Sequence, residues 1–231
     1  MNFKKVIVTS GPTREWIDPV RFISNASSGK MGFHIAKELL NWNENLVYIH
    51  GNVSDKYAKL ESAKNISVES TAEMLESIES ELVDSTLLVM AAAPADFRPK
   101  HLAEQKIKKD STETFSIELE KNPDILSLIN ERIHSKKYSE VALVGFAAET
   151  ENLDKNAIQK LERKGLDFII GNYVNKNKKG FGDIETTVKI FSKDGMQMLI
   201  ENETKEVIAK KISDFLKFFF TESKSKNRIG L

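Results

Sequence analysis

The stretch FKKVIVTSGPTR, residues 3–14, decides the fold. Phe3 to Thr9 is apolar and β-branched after two lysines, the pattern of a strand buried on both faces. Ser10 to Arg14 breaks that run with a small residue, Gly11 and Pro12, so a loop opens there. From Gly29 the residues Met31, Phe33, Ile35, Ala36, Leu39 and Leu40 recur at helical spacing, which predicts a helix to about Trp42. A buried strand, a long loop and an amphipathic helix form the first half of a βαβ unit.

The same alternation continues downstream. Strands are predicted at Leu46 to Ile49, Leu87 to Ala91, Val141 to Phe146 and Asp167 to Ile170. Helices are predicted at Glu69 to Asp84 and at Leu153 to Lys164, the latter closed by Gly165 at the C-cap. Strands separated by helices imply a mostly parallel, Rossmann-like α/β sheet flanked by helices. Thr186 to Phe191 and Met196 to Ile200 flank Lys193-Asp194-Gly195, a β-hairpin signal that adds a C-terminal extension. A last helix follows, with Val207, Ile208, Ile212, Phe215, Leu216 and Phe219 on one face. One domain over residues 1–221 with a flexible tail over 222–231 is the expected organisation.

Composition bounds the function. The chain has 231 residues, 34 basic and 34 acidic side chains, and no cysteine. Balanced charge gives no bulk attraction to nucleic acid or anionic membrane. Without cysteine there is no disulfide, thiolate metal site or cysteine nucleophile. The start lacks a signal-peptide core, and the longest apolar run, Leu87 to Ala95, is too short to span a bilayer. A cytoplasmic, bacterial-type protein is expected. The four histidines, at 34, 50, 101 and 134, show no paired ligand spacing.

All five prolines fall at positions 12, 19, 94, 99 and 123, in loops that follow strands or precede helices. In an open parallel sheet such loops gather beyond the carboxyl ends of the strands, where ligands bind. The first loop ends SNASSGKMG, residues 24–32. It lacks the glycine and the hydroxyl residue of a P-loop and the third glycine of a dinucleotide fingerprint. Small residues opening a helix can still bind an anion through free N–H groups and the helix dipole, or Ser28 can simply cap the helix. The second loop, MAAAPADFRP at 90–99, lets a flat ligand approach the backbone, and Asp96 could hold magnesium or a hydroxyl. The lysines of KIKK, residues 106–109, can meet phosphate oxygens or form a solvated face. KNPDIL at 121–126 is a proline-fixed helix start, and GFAAET at 145–150 ends a strand. Lys160 and Lys164, four apart, share a helix face and could clamp a polyphosphate or face solvent. Residues 175–182, rich in lysine and glycine, read as a flap or a long loop.

In order, TSGPTR (9–14), DPVR (18–21), SNASSGKMG, the loop from Ala91 to Asp96, KIKK, KNPDI (121–125), GFAAET and GFG (180–182) resemble the phosphopantothenate–cysteine ligase family. The resemblance spans roughly residues 6–192. Pro94 stands where many relatives carry valine. In many bacteria this domain follows a flavin-dependent decarboxylase. Here the chain begins at the ligase's first strand, so a free-standing ligase with a separate decarboxylase acting next is expected.

The resemblance implies coenzyme A synthesis. A nucleotide, CTP in the bacterial branch, activates the carboxylate of 4′-phosphopantothenate as an acyl-cytidylate and releases pyrophosphate. The amine of L-cysteine then displaces CMP. The resemblance also implies site roles. Asn25 and Lys106 would be catalytic, Asn25 at the reacting carboxyl and Lys106 at the α-phosphate. Arg21, Ser27, Ser28 and Gly29 would face phosphopantothenate. Met90, Ala91, Ala92, Pro123, Asp124, Ile125, Leu126 and Phe146 would hold cytosine and ribose. Asp96 would meet the nucleotide or its Mg2+, and Lys160 and Lys164 the triphosphate tail. It further implies a homodimer whose second protomer completes the pantothenate pocket, with the hairpin after Thr186 as candidate interface. The βαβ pattern alone would also suit an NAD(P)-dependent oxidoreductase, although no Tyr-x-x-x-Lys pair is present, or a non-catalytic nucleotide-binding subunit.

Overall fold

A computed structural model describes residues 3–108, 114–174 and 185–226, with side chains described up to Thr221. In chain order the elements are β1 (Lys5–Ser10), β2 (Arg14–Asp18), β3 (Arg21–Ser24), α1 (Lys30–Leu40), β4 (Leu46–His50) and α2 (Asp55–Ala58). Then come β5 (Lys64–Ser67), α3 (Thr71–Glu81), β6 (Thr86–Met90), β7 (Phe97–Pro99), β8 (Leu119–Lys121) and α4 (Ile125–Lys136). The last elements are β9 (Ala142–Glu149), α5 (Leu153–Arg163), β10 (Phe168–Tyr173), β11 (Thr186–Ser192), β12 (Gln197–Glu203) and α6 (Lys205–Lys226).

Eight strands form the main sheet in the order β12-β11-β10-β9-β6-β1-β4-β5. Strands β5 to β10 along that order pair in parallel, while β11 and β12 add antiparallel at one edge. The C-terminal hairpin is therefore continuous with the sheet. Strand residues alternate between two cores, as a sheet covered on both faces requires. Val6 and Val8 pack with Ile35, Leu39, Ile208 and Ile212 of α1 and α6. Ile7, between them, packs with Met74, Ile78, Ile129 and Leu161 of α3, α4 and α5. The result is a three-layer α/β/α sandwich. From β1 the order runs through β4 and β5 on one side and through β6 and β9 on the other. A crevice opens beyond the carboxyl ends at such a switch point.

Several features differ from the sequence reading, among them the short helix α2 and the edge strand β5, which it did not expect. The long first loop contains the β2–β3 hairpin, a separate two-stranded sheet, and β7–β8 forms another. The N-cap of α1 is Gly29 at φ 76°, with no side-chain cap, in place of Ser28. Glycine tolerates that left-handed backbone without a Cβ clash. Finally, α6 continues to Lys226, past the expected start of a loose tail at Glu222, because the stretch TESKSK, 221–226, holds no glycine or proline to stop it. The proposed flap over 175–182 lies outside the described residues, as do Lys109 and residues 227–231.

Candidate functional site

The crevice is a cleft of about 770 Å³ lined from both sides of the switch point. Its floor is the loop after β6, and several neighbours hold that loop in place. The Ala92 amide donates to Thr9 Oγ1 at 3.2 Å and the Ala95 amide to Thr13 Oγ1 at 2.9 Å. The Ala93 amide donates to Gly11 O at 2.9 Å. Asn122 Nδ2 donates to Ala95 O at 2.9 Å, and the Asn122 amide donates to Asp96 O at 2.9 Å. Small side chains at positions 91–93 keep the floor low while these bonds keep it rigid.

One wall is the start of α1. Ser10 Oγ donates to Gly29 O at 2.6 Å, tying the end of β1 to the helix start. Gly32 lies against the same strand end: a Cβ there would sit 2.7 Å from Ser10 Oγ and 2.8 Å from Thr9 O. Ser27 Oγ and Ser28 Oγ accept only long bonds, 3.4 Å each, from the Gly29 and Lys30 amides. The positive end of the helix dipole thus faces the cleft beside hydroxyl groups. Asn25 Nδ2 donates to Ala93 O at 3.2 Å and to Pro94 O at 2.8 Å, so the asparagine bridges wall and floor.

The opposite wall carries the two helix lysines. Lys160 Nζ is 2.6 Å from Glu149 Oε1 at the end of β9. Lys164 Nζ is 2.9 Å from Asp124 Oδ1 at the N-cap of α4. Burial pushes the Asp124 carboxyl up, but Lys164 and the Ser127 amide bring it below its ordinary value. Both cations reach the cleft, each already paired with a carboxylate.

Of the residues expected in the site, Asn25, Ser27, Ser28, Gly29, Met90, Ala91 and Ala92 line the cleft on one side. Asp96, Pro123, Asp124, Ile125, Leu126, Phe146, Lys160 and Lys164 line it on the other. Arg21 and Lys106 do not. Arg21 instead pairs with Asp18, its Nη2 2.5 Å from Oδ2, and Lys106 is exposed on the segment that follows β7. Lys30 and Lys205 also line the cleft, although sequence reasoning gave neither a role. Lys30 stands inside SNASSGKMG and was visible there, whereas Lys205 reaches the cleft only because α6 packs against α1. Lys30 Nζ pairs with Glu206 Oε1 at 2.8 Å.

Among the described residues no three His, Cys, Asp or Glu side chains gather as a metal cage. Asp96 is an exposed carboxylate on the rim, and Asp124 is committed to Lys164. That donor set suits an Mg2+ ion shared with substrate phosphates and one carboxylate, and does not suit an all-protein site. No helix among the described residues is long and apolar enough to cross a membrane.

Comparison with known proteins places the chain in a lineage. Residues 1–218 match the DNA/pantothenate metabolism flavoprotein C-terminal domain. The chain is 35% identical over 210 residues to the coenzyme A biosynthesis bifunctional protein CoaBC of Vibrio vulnificus, covering 90% of this chain and 51% of that protein. It spans about half the length of the curated relatives it matches. The crystal structure of a CoaBC C-terminal domain superposes with a TM-score of 0.74 at 32% identity, covering 95% of this chain and 96% of that one. A Cab2 variant in complex with phosphopantothenate-cysteine shares the fold, with a TM-score of 0.72 at 19% identity over 96% of this chain and 89% of that one. With a family match over residues 1–218 and a solved relative of 32% identity superposing over 95% of it, the chain is a member of the DNA/pantothenate metabolism flavoprotein C-terminal domain family.

Proposed function

We propose that this chain is a phosphopantothenate–cysteine ligase of coenzyme A biosynthesis that uses CTP and passes through an acyl-cytidylate. The observation that carries this reading is the pairing of two unlike walls in one cleft. A helix start with hydroxyl groups and Asn25 lines the same cleft of about 770 Å³ as Phe146, Pro123 and the lysines Lys160 and Lys164. One wall suits a phosphorylated acid and the other a nucleoside triphosphate.

In the first step a carboxylate oxygen of phosphopantothenate bonds to the α-phosphorus of CTP as the bond to the bridging oxygen breaks, releasing pyrophosphate. The obstacle is charge repulsion between an anion and a polyanion. Lys160 and Lys164 would hold the triphosphate tail, exchanging their carboxylate partners for phosphate oxygens, and Lys106 would offset charge at the α-phosphate. Asp96, together with triphosphate oxygens, would hold Mg2+, which supplies further neutralisation when bound. In the second step the cysteine amine attacks the acyl carbon, loses a proton, and CMP leaves. Asn25 spends its two amide hydrogens on Ala93 O and Pro94 O, which leaves Oδ1 as an acceptor. An acceptor beside the reacting carboxyl suits an incoming N–H group. Much of the rate would come from holding both substrates in register on a rigid floor.

We also propose that a second copy completes the pantothenate pocket. The β11–β12 hairpin at the sheet edge, where Leu199 is exposed, is a candidate contact.

The test is product analysis. Incubation with phosphopantothenate, L-cysteine and CTP should yield phosphopantothenoylcysteine, CMP and pyrophosphate in equal amounts. Nucleotide binding with no turnover would leave the chain a binding subunit and refute the ligase.

A further inference from the structure

Lys106 sits on an irregular segment, residues 100–108, with no helix or strand to fix it. Its anchorage comes from the β2–β3 hairpin. The Ala103 amide donates to Ile17 O at 3.0 Å. The stronger hold is one residue beyond Lys106. The Ile107 amide donates to Asp18 Oδ2 at 3.1 Å, and Arg21 Nη2 donates to Ile107 O at 2.7 Å. Both polar groups of one peptide residue are thus gripped by one ion pair. The grip is itself locked. Arg21 Nε donates to Asp18 Oδ2 at 3.0 Å, and the Val20 amide donates to Oδ1 at 2.9 Å.

The Asp18 side chain has 0% exposure, whereas Arg21 keeps 45%. Burial pushes the Asp18 carboxyl up, but the Val20 amide, the Arg21 guanidinium and the Ile107 amide bring it down to about 2. A charged carboxylate withdrawn from water this fully must be repaid by such bonds. The hairpin needs Arg21 and Val20 to stabilise its own turn. The bonds to Ile107 reach beyond the hairpin, 86 to 89 positions along the chain, and fix the segment that carries Lys106.

We propose that Asp18 is a positioning residue for Lys106: with Arg21 it clips Ile107 from both sides and so sets where the neighbouring lysine can reach. The proposal rests on the role given to Lys106 above. On a free segment both backbone and side chain would have to be ordered during each turnover, whereas the clip fixes the backbone beside Lys106 beforehand, and only the exposed side chain has to swing to the cleft. Misplacement by about 1 Å can cost about 100-fold in rate.

Three variants of the full chain test this: Asp18→Asn, Lys106→Gln and the double variant. Initial rates of pyrophosphate release are measured against CTP at saturating phosphopantothenate. Asp18→Asn should lower kcat on the order of 10- to 100-fold with KM for CTP changed less than about threefold. Added to Lys106→Gln it should cost nothing more, because both changes remove one function. Hydrogen exchange at the Ile107 amide should be slow in the native protein and fast in Asp18→Asn. If Asp18→Asn fails to fold, Ile107→Pro removes the same donor from a surface segment and should reproduce the kcat loss. An impaired Lys106→Gln beside an Asp18→Asn of native rate overturns the clip alone, as do losses that multiply in the double variant. A Lys106→Gln of native rate overturns the underlying role of Lys106 instead.

Discussion

Lys164 Nζ lies 2.9 Å from Asp124 Oδ1, so the cation that faces the cleft is held by the residue that caps α4. Glu149 holds Lys160 in the same way. The two carboxylates bring this wall close to charge balance, and a polyphosphate must compete with them. Replacing both lysines by Gln should raise KM for the nucleotide at least tenfold and leave KM for cysteine nearly unchanged, since cysteine enters after pyrophosphate leaves. Exposed lysines without a ligand contribute only about 0–1 kcal/mol by surface pairing. A nucleotide KM equal to that of the unmodified chain would show that the pair only faces solvent.

Asn25 joins the α1 wall to the floor through Ala93 O and Pro94 O. Asn25→Ala removes that bridge and the Oδ1 acceptor together. The expected result is normal or mildly slowed pyrophosphate release in the first turnover with strongly slowed formation of phosphopantothenoylcysteine, so that acyl-cytidylate accumulates in the presence of cysteine. Rapid-quench mass spectrometry reads this directly. Product formation at the native rate would remove Asn25 from the second step.

Gly32 permits α1 to lie on the end of β1. In Gly32→Ala the new methyl would meet Ser10 Oγ and Thr9 O, well inside contact distance. Backbone does not yield cheaply, so overpacking of about 1–3 kcal/mol is expected. The helix start should also move off the cleft, weakening phosphopantothenate more than CTP. Urea unfolding and the two KM values check both halves of the statement.

Glu206 ties α6 to the start of α1 through Lys30, with His34 Nε2 at 3.6 Å from the same oxygen. The Lys30 ammonium holds the Glu206 carboxyl at about 2, below its ordinary value of 4.5. A depressed carboxylate stabilises the fold above its unfolded pKa, and that stability is lost as pH falls toward the folded value. Glu206→Gln should therefore be less stable than the unmodified chain at pH 7, and the gap should close between about pH 4.5 and pH 2. Glu206 is 44% exposed, so screening limits the gap to about 0.5–1 kcal/mol. A gap that widens with acid would contradict the assignment.

The βαβ frame was legible because its strands are covered on both faces and its helices on one. Val6 to Val8 and Leu87 to Val89 read as unbroken apolar runs, and α1 and α5 as periodic ones. The small sheets were not legible. β7 and β8 are three residues each, and β3 exposes most of its side chains, so neither apolar alternation nor length marks them. Among site residues, the cleft's loops carried ordered motifs and could be placed. The partners of its cations could not. Asp124 meets Lys164 across 40 positions, and Lys205 enters the cleft through helix packing, so both are products of topology. Arg21 carried a motif as well, and its Asp18 partner stands in the same motif, yet its guanidinium also reaches Ile107 O, 86 positions away, a relation with no local signature.

Lys106→Gln isolates the first step. Loss of a preorganised charge at a reacting phosphate typically costs about 100- to 1,000-fold in rate. Circular dichroism should be unchanged, because the lysine is exposed on a surface segment.

The most direct test of the account uses the unmodified chain and leaves cysteine out. With phosphopantothenate and CTP alone, the acyl-cytidylate should form and one equivalent of pyrophosphate per site should appear in a burst. Omission of phosphopantothenate should abolish the burst, and ATP should give far less. No pyrophosphate without cysteine, or equal release whether or not phosphopantothenate is present, would contradict activation of the acid by the nucleotide as the first step.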